Sequence, residues 1–306
     1  MIQSIDNYLS RLKKELSGCD RATIQDALSD AEEHLRTALD SATAQDAAVS
    51  EADALSQIIE SYGMPEEVAI AYREIEHRIT PALAQPSYAE EPEEVHKERD
   101  ERSLLTRFFG VFADFRAWGA FLYLLFSLLT GIFYFTWAVT GLSLSAGLLV
   151  LIIGLPFTGL FILSVRGIGL VEGRIVEALL GVRMPRRPQF HRRNTGLWPR
   201  FKSIILDAHT WLSLVYMILQ LPLGITYFTV FVTLIAVSLS GIAAPILQLG
   251  FDIPIATTDG GPYYFAGWML PLLVVGGILL ATLTMHLARY VGRMHGALAK
   301  ALLVRR

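Results

Sequence analysis

The sequence predicts an all-α chain, with a small acidic helical domain ahead of a four-helix membrane bundle. Three observations predict it: segregated charge, helical periodicity over the first 80 residues, and four apolar runs long enough to cross a bilayer. Of 306 residues, 53% are hydrophobic and 18% charged. Residues 1–101 hold 9 Lys/Arg against 23 Asp/Glu, and residues 102–306 hold 17 against 6. An acidic head therefore precedes a basic, apolar body.

The head divides into four short helices. In the first, Ile5, Leu9, Leu12 and Leu16 share a face, and Gly18 is a stop. Asp20 is the expected N-cap of the second, whose stripe runs through Ile24, Ala27, Leu28, Ala31, Leu35, Ala38 and Leu39. Ser50 caps the third and Gly63 follows its end. Pro65 opens the fourth, with Glu66 and Glu67 in the first turn, where the helix dipole favours them. The domain is placed at 1–80, and the Pro/Glu-rich stretch 81–103 is expected to be a disordered linker. The single cysteine, Cys19, excludes an internal disulfide, and no basic residue clusters beside it in sequence. The first thirty residues show no cleavable signal pattern, so the head is expected to stay inside the cell.

The four apolar runs lie at about 117–140, 146–165, 210–237 and 267–285. Arg102, Arg107 and Arg116 precede the first, and nine Lys/Arg from Arg166 to Lys202 separate the second from the third. Arg289, Arg293, Lys300, Arg305 and Arg306 follow the fourth, whereas 141–146 and 238–266 carry no Lys or Arg. The positive-inside rule puts both termini and the middle loop in the cytoplasm of a multi-pass plasma-membrane protein.

Shifting the chain by 93 residues aligns 104–145 with 197–238, with 15 of 42 positions identical. Asp114/Asp207, Trp118/Trp211, Tyr123/Tyr216 and Gly131/Gly224 are among them. Arg166, Gly169 and the Ala-Leu-Leu at 178–180 correspond to Arg289, Gly292 and the Ala-Leu-Leu at 301–303. This reads as an internal duplication, repeat 1 at 104–183 and repeat 2 at 197–306. Each repeat starts and ends inside, so the two hairpins are expected to be related by a pseudo-two-fold along the membrane normal. Gly131, Tyr134, Thr136 and Thr140, with Gly224, Tyr227, Thr229 and Thr233, form the expected packing seam or small ligand pocket. Trp118 and Trp211 are interface anchors. Each repeat ends in an amphipathic basic tail, either an interfacial helix or an extension of its span. Asp252, Asp259, Tyr263 and Tyr264 form a candidate outer face, read either as a ligand-binding surface or as a turn with aromatic anchors.

No metal-binding, phosphate-binding or nucleophile motif occurs, so no catalytic residue, metal or cofactor is expected. Glu32, Glu33 and His34 splay around a helix and read as solvated or partner-facing. His209 and His286 sit at inner span ends as anchors. The basic run at 183–193 abuts two spans and fits lipid phosphates better than nucleic acid.

The head resembles the HAAS signalling domain, through "YLSRLKKEL", "DAEEHL" and "YGMPEEVA". Met64 stands where that family usually has an acidic residue. The body resembles the "sensor" membrane domain often found ahead of actinobacterial histidine kinases, through "GIFYFTWAVTGLSLSAGLLVLIIGLPF" and "GITYFTVFVTL". The first resemblance implies a cytoplasmic protein partner, a PadR-like regulator. The expected function is therefore that of a non-enzymatic sensor coupling an apolar or envelope-derived stimulus to a soluble regulator. It contacts membrane lipid, does not bind nucleic acid directly and is open to homodimerisation. The rival reading is an accessory or scaffold subunit of a larger membrane complex. A transporter or membrane enzyme is a third, disfavoured by the lack of charge at mid-membrane.

Overall fold

A computed structural model describes residues 4–45, 50–78, 108–151, 154–185, 207–254, 256–258 and 261–304. The acidic linker at 81–103, Asp259 and the basic run from 186 to 206 lie outside the described residues. The described residues are all-α apart from one short hairpin, as the periodicity predicts.

The head helices are α1 (Ile5–Glu15), α2 (Arg21–Gln45), α3 (Glu51–Tyr62) and α4 (Pro65–Arg78). The starts of α2 and α3 are set by the expected caps, which satisfy backbone N–H groups that a first turn leaves unpaired. The amide of Ala22 donates to Asp20 Oδ1 at 2.8 Å, and that of Asp53 donates to Ser50 Oγ at 3.2 Å. Gly63 ends α3 at φ 111°, a conformation other residues reach only with strain. Its carbonyl accepts from Tyr8 Oη at 2.8 Å. Burial pushes the Tyr8 phenol well above its ordinary range, so it remains a donor. Tyr8, Leu12, Leu16, Leu35, Leu55 and Ile59 make the head's core. His34 is not simply solvated, because its ring stacks on Tyr62 with centroids 4.6 Å apart.

Four further helices are long and apolar enough to cross a membrane: α5 (Phe115–Leu148), α6 (Gly154–Leu180), α7 (Ala208–Pro245) and α8 (Leu270–Leu303). The turn between the first two spans falls later than expected. α5 continues to Leu148, and the second span begins at Gly154 instead of near residue 146. The apolar run holds no polar break to place the turn. Gly154 places it, since a Cβ there would stand 2.0 Å from the Leu148 carbonyl oxygen. Likewise α7 runs through 238–245, which reads in sequence as outer loop, and is followed by one π turn, Ile246–Gly250. The tails are continuous with their spans, so the extension reading holds for the described residues.

The segment between α7 and α8 contains the strands β1 (Ala256–Thr258) and β2 (Gly261–Tyr263), paired antiparallel with Thr258 opposite Gly261. An Asp-Gly pair between two short runs is a hairpin signal. Gln248 pins the segment, donating to the Phe265 carbonyl at 2.7 Å and accepting from its amide at 3.0 Å.

The fold divides into two compact units. The first comprises Met1–Pro86, Gly141–Tyr216 and Leu298–Arg306, and the second Ser87–Thr140 and Met217–Ala297. Both draw residues from α5, α7 and α8.

Candidate functional site

In the second unit, α5 and α7 cross where Gly131 and Gly224 lie. A Cβ on Gly131 would stand 2.7 Å from the Gln220 carbonyl oxygen, and one on Gly224 would stand 2.4 Å from that of Ser127. The contact is reciprocal, since Gln220 is the residue that aligns with Ser127 in the 93-residue shift. Small residues here let two backbones touch, which is how helices associate in lipid without a hydrophobic drive. Tyr134 is buried and Tyr227 half-buried beside this crossing. The four threonines are not part of it. Thr136, Thr140, Thr229 and Thr233 are all exposed. Five residues along a helix from Gly131 is a rotation of about 140°, which carries Thr136 to another face.

Within helical reach of the crossing is a buried polar chain that sequence reasoning missed. Tyr123 Oη lies 2.7 Å from His295 Nε2, and Gln220 Nε2 donates to the same hydroxyl at 3.3 Å. His295 Nδ1 lies 3.4 Å from Tyr227 Oη. Tyr123, Gln220 and His295 are each at most 1% exposed. The amide oxygen of Gln220 is buried and has no hydrogen-bond partner. At the start of α5, Asp114 caps the helix by accepting from the Arg116 amide at 2.9 Å and pairs with Arg289 at 3.0 Å. The His286 ring packs on Phe108 with centroids 5.5 Å apart, and its Nε2 is 3.0 Å from the Phe108 carbonyl oxygen, consistent with an anchor.

The first unit repeats these pairings with the aligned residues. Asp207 accepts from the His209 amide at 3.4 Å and pairs with Arg166 at 2.8 Å. Arg166 also donates to Thr210 Oγ1 at 3.1 Å. Tyr216 donates to Glu172 Oε1 at 2.7 Å, and Glu172 is 1% exposed. Glu172 and His295 are 123 residues apart, as are Arg166 and Arg289. So in each unit the aspartate and tyrosine of one aligned segment bind the arginine and the titratable residue of the other segment's tail. Glu177 is buried, and Arg174 pairs with it at 3.2 Å.

The first unit also contains the contact between head and tail. Lys300 near the end of α8 pairs with Asp20, the N-cap of α2. The Asp20 amide in turn donates to Glu76 Oε1 at 2.8 Å, joining α2 to α4. Cys19 sits beside this contact. Burial, reinforced by Glu76, raises its thiol above the ordinary range. Arg73 is close enough to oppose that shift, a basic neighbour that the local sequence does not reveal. A raised thiol holds less thiolate at neutral pH, so Cys19 should react with maleimide more slowly than a free cysteine near pH 7.5. Glu76→Gln should speed that labelling, measured by mass shift over time in the folded protein.

Trp118 and Trp211 are roughly half exposed, and the Trp118 indole donates to the Phe112 carbonyl at 2.9 Å, as suits rings at the lipid–water boundary. On the candidate outer face, Tyr264 donates to the Asp252 carbonyl at 3.1 Å, and Asp252 itself has a positive φ of 52°. Tyr263 and Tyr264 are exposed. The structure brings Asp252 and Tyr264 together and sets the Tyr263 ring edge-on to Phe265, with centroids 5.4 Å apart.

A family model described as "Putative sensor" matches residues 123–303, more than half the chain, and a HAAS model matches residues 7–70. No curated protein and no solved structure matches the chain.

Proposed function

The chain belongs to the sensor family and carries a HAAS domain ahead of four membrane-crossing helices, and from this premise we propose that it is a non-enzymatic membrane sensor working through a cytoplasmic protein partner. The observation that carries this reading is the continuity of α8. One unbroken helix runs from Leu270 to Leu303, and its Lys300 grips the cap of the head's longest helix. A shift or rotation of the span would be felt at Asp20 without any intervening loop. The positive-inside bias supports both termini facing the cytoplasm, where a soluble regulator of the PadR-like kind is in reach.

The reciprocal Gly131/Gly224 crossing supports reading 104–183 and 197–306 as duplicated hairpins. On this reading the crossing is the rigid seam, and the paired tails are the elements that a stimulus in the lipid moves. The exposed threonine pairs on α5 and α7 favour a second possibility, contact with helices of another membrane subunit or a second copy of this chain. Solubilising the full chain from its native membrane in mild detergent and identifying its stoichiometric companions separates the two. A soluble regulator supports the sensor, and an integral membrane protein supports the scaffold.

A further inference from the structure

Just past the end of α6 the first unit holds an arginine that its fold leaves unanswered. Gly181 has a φ of 69°, and there the chain turns back on the tail of its own helix. Met184 is fully buried against that tail, and a Cβ built on Gly173 would stand 3.4 Å from the Met184 Cβ. Between the turn and this contact lies Arg183. It is partly buried, and its Nε and Nη1 are enclosed with no hydrogen-bond partner. The carboxylates of the tail have partners of their own. Glu172 accepts from Tyr216 at 2.7 Å, and Glu177 accepts from Arg174 at 3.2 Å. Arg166, on the same helix, meets Asp207 at 2.8 Å and Thr210 at 3.1 Å.

A guanidinium cannot escape burial by losing its proton. A buried charge is costly unless it is paired and hydrogen-bonded, so the site favours an anion. Its place in the fold indicates which one. The uncharged stretch of α6 ends at Arg166. Gly173 lies midway between Arg166 and Leu180, about 10 Å along the axis from each. The polar layer of a bilayer is about 5–7 Å deep on each side. By turning back, the chain returns Arg183 to within a side chain's length of that layer. A phosphate there can accept from two N–H groups of one guanidinium at once, which an ammonium cannot match in geometry.

We propose that Arg183 is the anchor of a phosphate-binding site at the membrane surface, and that its ligand is the phosphate of an anionic lipid. The site requires that the body lie in a bilayer, not that the head meet a partner, so it stands or falls apart from the sensor reading. Native mass spectrometry of the purified full chain in detergent tests it, with phosphatidylglycerol or phosphatidylcholine added. The wild type should hold one phosphatidylglycerol per chain in preference to phosphatidylcholine. Arg183→Gln should weaken that binding by about tenfold or more. Arg293→Gln removes the same charge from an exposed position and should leave it unchanged. A second arm adds inorganic phosphate to the lipid-free chain. A rise in unfolding temperature in the wild type, absent from Arg183→Gln and unaccompanied by lipid retention, would keep the phosphate site and assign it a free ligand. Wild-type behaviour of Arg183→Gln in both arms overturns the proposal, and so does an equal loss in Arg183→Gln and Arg293→Gln. Should Arg183→Gln not fold, Arg183→Lys carries the test. It keeps the charge without the planar fork, and a lipid affinity equal to that of the wild type would overturn the proposal.

Discussion

Gly224→Ala should lower the unfolding temperature by several degrees. The added Cβ would meet the Ser127 carbonyl oxygen at 2.4 Å and the Leu128 Cα at 2.9 Å. Both are backbone atoms of a helix and cannot swing aside, so α5 and α7 must separate. Overpacking of this kind costs about 1–3 kcal/mol and sometimes more. Gly131→Ala should follow the same direction with a smaller loss, its nearest contact being 2.7 Å. Gly159 and Gly276 supply the control, because nothing lies within 4 Å of a Cβ built on either. Alanine at those helical positions should be neutral or stabilising by up to about 1 kcal/mol. Equal losses at all four glycines would mean that the crossing is not a tight seam.

The second large effect is expected at Asp207. Its carboxylate pairs with Arg166 at 2.8 Å, with both side chains about one-fifth exposed, and it also caps the start of α7. Asp207→Ala leaves the guanidinium partly buried without its carboxylate, while the bond to Thr210 remains. Removing one member of a fully buried pair costs about 3–5 kcal/mol. Partial exposure screens this one, and about 1–3 kcal/mol is the expected loss. Asp207→Asn retains a cap oxygen and should lose less than alanine does. The aligned Asp114→Ala should be milder, because Arg289 is 37% exposed. Chemical or thermal unfolding of the four proteins side by side checks the order. A tie between Asp207→Ala and Asp207→Asn would show that charge pairing, not capping, sets the whole cost.

What could be read from the sequence follows the range of the interactions. The caps at Asp20, Ser50 and Gly63 are decided within four residues, and each is found where the pattern puts it. The four spans are legible because hydrophobic length is a property of a window. The turn near Gly154 was not legible, because an apolar run contains no cue to where a helix should reverse. The threonines misled because identity between aligned segments does not require a shared face. Only the rotation from Gly131 separates them. The polar pairs were missed for a different reason. Tyr123 and His295 are separated by 172 residues, and no local pattern links them. One signal was available. Tyr123 and Tyr216 are identical across the shift, and the tail alignment places Glu172 against His295. Two phenols at aligned positions, set against two aligned titratable residues, form a pattern that could have been sought in the sequence.

The reading of the chain as a sensor rests on the head being the part that meets a soluble partner. The direct measurement is quantitative mass spectrometry of what co-purifies with the full chain, compared with a chain lacking residues 1–80, both from native membranes. The account predicts a soluble cytoplasmic protein recovered in stoichiometric amount with the full chain and lost with the head. A stoichiometric integral membrane protein that stays bound after the head is removed, with no soluble protein recovered, would contradict it.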